Sequence, residues 1–259
     1  MSRKFDIGTA GGLFLGFLTI FGSFILEGGK VGALILLPAM MIVFGGTFAA
    51  AMIGTSLRNV TALFRLVRLA LLPPNYNFSG TIDEVVRFAT VARRDGLLAL
   101  EKQADSSKDA YLKRILRFTI DGTEPEALRS IIESEVHHIG ERHMQGVAIF
   151  QKMGGYSPTM GIIGTVMGLI ATLASAGDDP NELIHHIASA FIATLWGVFM
   201  ANIVWLPLAD KLKFIHAEES LFMEMISEGV ISIQAGEVPS VVRAKLESML
   251  PIYATRKKS

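Results

Sequence analysis

Four long stretches of this chain carry no Asp, Glu, Lys, Arg or His: Ile7 to Leu26, Val31 to Leu57, Met153 to Gly177 and Ile187 to Ala209. The polar groups inside them are chiefly hydroxyls, notably Thr9, Thr19, Ser23, Thr47, Thr165, Thr172, Ser189 and Thr194. A hydroxyl oxygen can ligate a hard cation or pass on a hydrogen bond, but it does not titrate near neutral pH and so carries no proton by itself. A pump or transporter that moves protons or cations through its own helices places an ionisable residue there. This chain therefore lacks the carrier, and each hydroxyl taken singly is expected to bond back to its own helix or across to a neighbour.

Other chemistry fares worse. His137-His138, His143 and His185-His186 suggest zinc, but no HExxH or carboxylate constellation accompanies them, and a solvated or interfacial role is expected. Gly8-Thr-Ala-Gly-Gly12 and Gly161-Ile-Ile-Gly164 lack the following Lys and the strand-turn-helix setting of a phosphate loop, and read as close-packing helix surfaces. No nucleophile stands beside a base, so no enzyme activity, cofactor or metal is expected. The absence of Cys excludes disulfides and thiolate sites. Pro158 and Pro207 lie near the ends of the third and fourth stretches, where a proline kinks a helix and requires either compensation or a use: a passive bend or a hinge. Arg93 and Glu101 flank a short apolar segment with opposite charges, which by themselves read as a solvated face.

The elements that position these residues are helices in a membrane. Of 259 residues, 51% are apolar, and the mean hydropathy is +0.44, beyond the range of ordinary soluble domains. Net charge is zero, which gives no indication of nucleic acid. Each uncharged stretch has the roughly 20 residues needed to cross about 30 Å of hydrocarbon. The N-terminal one runs too long for a secretory signal core, and no clean cleavage site follows it. The sequence thus predicts hairpin 1 over 1–57 with spans near 7–26 and 31–57, a helical domain over 58–152, hairpin 2 over 153–209 with spans near 153–177 and 187–209, and a helical tail over 210–259. The connectors Glu27 to Lys30 and Asp178 to His186 are poor in Lys and Arg. Arg58, Arg65, Arg68, Lys211, Lys213 and Arg256-Lys-Lys258 flank the other ends. The positive-inside rule places both termini and the middle segment in the cytoplasm.

Outside the spans, Thr81-Ile-Asp-Glu84 has capping-box spacing and predicts a helix start, with Gly96 as its stop. A short helix from Leu97 to about Ala104 would hold Glu101. Asp109 to Asp121 reads as an amphipathic helix closed by Gly122. Thr123-Glu-Pro-Glu126 reads as a second capping box opening a long helix that runs almost directly into span three. Lys211 to Ile233 and Pro239 to Leu250 complete an all-α chain.

Five separated stretches resemble the MotA/PomA family, the larger membrane subunit of the flagellar stator, within the wider MotA/TolQ/ExbB group. They are ARRDGLLALE (92–101), SPTMGIIGTVMGLI (157–170), AFIATLWGVFMAN (190–202), PLADKL (207–212) and IQAGEVPSVVRAKLESML (233–250). The resemblance implies that the ion-carrying aspartate is supplied in trans by a MotB- or PomB-type subunit. Its single span would sit inside a ring of this chain, five copies around two partners, in the bacterial inner membrane. It implies that Thr165 and Thr194 stand beside that aspartate on the path of H+ or Na+, and that Pro158 and Pro207 take part in conformational change. It further implies that Arg93, Arg94 and Glu101 contact the rotor protein FliG. Lys102 and Ala104 stand where some sodium-type relatives have further glutamates. The alternative, an ExbB/TolQ-type energiser of outer-membrane processes, has three spans rather than two hairpins. A self-sufficient channel would need an ionisable or pore-lining group within the spans, and a passive scaffold would leave the prolines without a use.

Overall fold

The computed structural model describes residues 4–174 and 180–251. The expectations for Gly177 to Asp179 and for Arg256 to Lys258 lie outside these residues, as does the side chain of Arg58. Among the described residues the chain is all-α, with four helices long and apolar enough to span a membrane. It forms two compact units. One comprises Lys4–Pro73 and His143–Phe214, and the other Pro74–Arg142 with residues 215–251.

The first unit holds the apolar spans. α1 (Ile7–Leu26) starts on Asp6, whose side chain accepts from the Gly8 amide. The second span does not begin at Val31 as expected. Val31–Leu34 is a single 3-10 turn, and helix resumes only at Leu37. Pro38 explains the delay, because a residue without an N–H fits a helix in its first turn, where amides have no carbonyl partner. From there α2 (Leu37–Met40), a π-turn (Met41–Gly45) and α3 (Gly46–Gly54) run on end to end. α4 (Leu57–Thr61) and α5 (Leu63–Leu71) follow, and Leu63 and Ala70 are buried in a cluster with Phe150, Met153 and Leu208.

In the second unit, α6 (Phe78–Asp95) begins three residues before the predicted capping box. Asn77 is the cap: its side chain accepts from the Gly80 amide at 3.1 Å. Phe78 then packs edge-on against Phe222, with ring centroids 5.2 Å apart. The early start is thereby tied to the core, and Thr81 is buried inside the helix. The short helix beyond Gly96 is a 3-10 turn (Leu97–Leu100) followed by α7 (Glu101–Ser106). α8 (Ala110–Ile120) has Asp109 as its cap. It ends at Gly122, whose φ of +80° lets the Thr123 amide reach back to the Phe118 carbonyl at 3.0 Å. Closing α8 in this way occupies Thr123, so the second predicted capping box does not form. α9 (Pro125–Ala174) instead opens on Pro125 and continues unbroken for 50 residues.

α10 (Pro180–Phe199), a π-turn (Met200–Trp205) and α11 (Leu206–Gln234) likewise succeed one another without a break, and α12 (Pro239–Ser248) closes the second unit. Its core is one apolar cluster from α6, α8, α11, α12 and the start of α9, including the fully buried Phe88, Leu112, Leu116, Leu128 and Ile226. Inside it, Tyr111 Oη and Ser227 Oγ share a hydrogen bond of 2.9 Å.

The start of α1 is fastened electrostatically. Asp6 pairs with Lys211 on α11 and accepts from Thr9 Oγ1 at 2.7 Å, and its amide donates to the Leu71 carbonyl at 3.0 Å. The hydrogen bond and charge of Lys211, with help from Thr9, hold the Asp6 carboxyl below its ordinary range. A lowered acid stabilises the fold in full above the ordinary value of 3.8 and loses that contribution as pH falls below it. Asp6→Asn should therefore weaken this attachment by about 1 kcal/mol at neutral pH. The expected readout is faster hydrogen exchange at the Asp6 and Gly8 amides, with no change in the amides of α8.

Candidate functional site

α9 and α10 meet along three small residues each, at matching spacings: Gly161, Gly164 and Gly168 against Gly197, Ala193 and Ala190. A methyl added at Gly197 would lie 2.6 Å from the Ser157 carbonyl oxygen and 3.1 Å from Gly161 Cα. One at Gly161 would lie 2.9 Å from the Ala193 oxygen, and one at Gly168 would lie 2.8 Å from Ala190 Cβ. The pairs run in opposite order along the two helices, so the hairpin is antiparallel and its backbones touch without intervening side chains.

That approach brings four oxygens together. Thr165 Oγ1 lies 3.1 Å from the carbonyl oxygen of Gly161 on its own helix, and 3.1 Å from that of Ala190 on the other. It is also hydrogen-bonded to Thr194 Oγ1, which in turn lies 3.5 Å from the Gly161 oxygen. Thr165 has one hydroxyl proton for three acceptors, so lone pairs remain unshared within the cluster. Both threonines are half-buried. The arrangement can ligate a hard cation through neutral oxygens or relay a hydrogen bond. It cannot hold a proton in the way a carboxylate would.

The other hydroxyls behave differently. Thr19 donates to the Leu15 carbonyl, Ser23 to Ile20 and Thr172 to Gly168, all at 2.9 Å and all within one helix. Thr165 and Thr194, by contrast, are joined to one another across α9 and α10.

Pro158 sits inside α9 and Pro207 in the first turn of α11, immediately after the π-turn. A proline removes the amide that would bond the residue four back, and its ring crowds that carbonyl. For Pro207 that residue is Ile203, which lies within the π-turn; the wider i→i+5 turn relieves the clash. For Pro158 it is Gly154, and the Leu206 side chain packs directly over it, since a Cβ at Gly154 would meet Leu206 Cδ2 at 2.5 Å. The two disturbed turns thus touch one another. Close by in sequence, Ser157 Oγ and Trp205 Nε1 are buried with no hydrogen-bond partner among the described residues. Neither the π-turn nor this contact is signalled by residue pattern or spacing.

In the other unit, Arg93 and Arg94 end α6 and Glu101 begins α7, and all three are exposed. Arg94 forms a forked ion pair with Asp95, at 2.7 Å from Nη2 and 2.9 Å from Nε. Neither Arg93 nor Glu101 is in an ion pair among the described residues.

Two family models match the chain: the MotA/TolQ/ExbB proton channel family over residues 103–225, and Motility protein A N-terminal over residues 10–93. The chain is 38% identical to motility protein A of Bacillus subtilis, covering 93% of this chain and 89% of the relative. It is 29% identical to the chemotaxis protein PomA of Vibrio alginolyticus, over 95% of each. The structure of the flagellar MotAB stator complex from Bacillus subtilis contains a chain that superposes with a TM-score of 0.89 at 36% identity, covering 97% of this chain and 99% of that one.

The backbone contact generates a sharp contrast between neighbouring glycines. Gly197→Ala should force α9 and α10 apart and destabilise the protein by about 1–3 kcal/mol. Gly155→Ala, where nothing lies within 4 Å of the added methyl, should be neutral or stabilising by up to about 1 kcal/mol. Thermal unfolding of the two purified variants separates them.

Proposed function

The chain belongs to the MotA/TolQ/ExbB proton channel family and is a stator subunit of the flagellar motor, and on that premise we propose how its residues divide the work. Several copies surround the span of a MotB-type partner in the inner membrane, five around two, with both termini and the unit formed by 74–142 and 215–251 in the cytoplasm. The partner supplies the ion-binding aspartate. α9 and α10 form the wall facing it. Thr165 and Thr194 offer their hydroxyl oxygens to the coupling ion, H+ or Na+, which is the substrate of the process rather than a resident cofactor. No covalent bond is made or broken, so the protein acts as a converter and not as an enzyme.

The observation that carries this reading is a wall with converging oxygens and no carboxylate. Four spans without an ionisable residue have no carrier of their own, and the Thr165–Thr194 pair is where a charge brought from outside would find ligands. An ion entering under the membrane potential, worth about 2.3 kcal/mol per charge per 100 mV, neutralises the partner's aspartate and releases its electrostatic hold on the wall. The ring then steps around the partner. Pro158 and Pro207 absorb the accompanying bend. Their contact at Gly154 and Leu206, and the unpaired polar atoms beside it, support a level of the bundle that is easily repacked. Arg93, Arg94 and Glu101 carry the step to the rotor protein FliG, while lipids cover the exposed apolar faces.

Three measurements test this in a motility-deficient host expressing the chain with its own partner. Thr194→Val and Thr165→Val keep shape and remove the hydroxyl. Each should reduce ion affinity by about 1–3 kcal/mol and slow the motor at least severalfold, with an unchanged amount of complex in the membrane. Speed recorded while external sodium is exchanged for potassium at fixed pH identifies the ion: a fall assigns Na+, and persistence followed by collapse with a protonophore assigns H+. Pro158→Ala and Pro207→Ala should abolish most torque with assembly intact. Full torque in both would make the prolines passive bends.

A further inference from the structure

The second span does not end where its exposed apolar surface ends. α3 stops at Gly54, whose carbonyl accepts from Lys152 Nζ at 2.7 Å, and the chain turns through an extended Thr55 into α4 and α5. Ile53, in the last turn of the span, is 88% exposed, as a lipid-facing side chain would be. Beyond the turn Leu57 is 62% exposed and Phe64 88%. The other side of α5 is fixed to the spans. Leu63 and Ala70 are buried in a cluster with Phe150, Met153 and Leu208, and a methyl added at Gly146 would lie 3.2 Å from the Leu66 side chain. α5 is therefore held with one face on the bundle and Phe64 directed away from it.

The charges on that outer face are of one sign. No Asp or Glu occurs between Glu27 and Asp83, and the three cations between Lys30 and Arg87 are Arg58, Arg65 and Arg68. Arg65 and Arg68 are exposed, the first next to Phe64 in the chain and the second one turn further along the same face. Neither is in an ion pair among the described residues. Uncompensated arginines beside an exposed aromatic ring, on a short helix that leaves a membrane span, fit the boundary between acyl chains and headgroups. The ring lies among the chains, and the guanidinium forks match phosphate. A soluble protein partner would have to displace lipid from this surface, because the exposed apolar run begins within the span itself.

We infer that α4 and α5 form a docking surface for anionic phospholipid, with Phe64 seated at the top of the acyl chains and Arg65 and Arg68 holding the phosphate of a lipid such as phosphatidylglycerol. Such a surface requires only that the spans lie in a bilayer, and so stands apart from the division of work proposed above. Its consequence is mechanical. The buried side of α5 shares one cluster with Met153 and Leu208, which adjoin Gly154 and Pro207 in the chain. A headgroup bound on the outer face braces the bundle at the level of the two disturbed turns.

The test uses the full chain with its partner subunit in vesicles of mixed phosphatidylglycerol and phosphatidylcholine, from which native mass spectrometry counts the lipids retained by the complex. The unaltered complex should retain phosphatidylglycerol in preference to phosphatidylcholine. Arg65→Gln with Arg68→Gln should weaken that retention by roughly fivefold for each arginine, at an unchanged amount of complex, because both side chains are exposed. Arg87→Gln with Arg129→Gln, which removes the same charge from exposed positions of the other unit, should leave it unaltered. Since the chain has no cysteine, a nitroxide on Phe64→Cys reports depth in the same vesicles, with the unsubstituted complex as background. It should collide with oxygen more than with a water-soluble nickel chelate, and a label on Ser106→Cys should do the reverse. No preference for phosphatidylglycerol in the unaltered complex, or equal losses in the two double variants, overturns the anionic site. A label at position 64 that meets the nickel chelate as freely as one at position 106 overturns the seating of α5 on lipid.

Discussion

How closely α9 and α10 approach determines most of what the membrane unit can do. Gly197 and Gly161 leave room for one backbone to lie against the other, and a single methyl at either would come within 3 Å of a carbonyl oxygen across the contact. Without that contact the Ala190 carbonyl would not reach Thr165, and the hydroxyls of Thr165 and Thr194 would turn back onto their own helices as Thr19, Ser23 and Thr172 do. In a bilayer this is also how such helices associate, because lipid offers no hydrophobic gain from bringing them together and close van der Waals packing has to suffice. The glycines therefore do two things at once: they assemble the hairpin and they converge its oxygens.

The prolines lie further along the same two runs of helix, Pro158 about one turn from Gly161 and Pro207 about three turns from Gly197. A proline in a helix leaves an unpaired carbonyl and a steric clash, and each of the two is accommodated differently. At Pro207 the chain widens into a π-turn; at Pro158 the crowded carbonyl belongs to Gly154, and the Leu206 side chain packs over that residue. Both solutions meet at Leu206, so a change in one turn displaces the packing of the other. Asp6 and Lys211 fasten the start of α1 to the first turns of α11 just beyond this level, a constraint between residues separated by most of the chain.

Much of this was legible in the sequence for a simple reason. Charge-free runs of about 20 residues in an otherwise densely charged chain have few physical interpretations, and the absence of any carboxylate inside them is itself a statement about mechanism. Gly122 as the end of α8 and the continuity of α9 into the third span also followed from local rules. The misses share a cause. Thr81 and Thr123 satisfied the capping-box pattern, yet Asn77 and the closing turn of α8 took precedence, because Phe78 and Thr123 are committed to contacts with residues more than 100 positions away. The π-turns and the meeting of Gly154 with Leu206 depend likewise on which neighbours the fold supplies. Spacing along one helix does not encode them.

On the proposed function, this chain builds the wall of an ion path and the partner brings the carrier. Ion flux into liposomes separates the two roles, comparing the chain alone, the chain with its MotB-type partner, and the chain with a partner whose membrane aspartate is replaced by asparagine. Flux is expected only with the intact partner. Flux through the chain alone, or undiminished flux with the asparagine partner, would mean that the carrier is not the partner's aspartate.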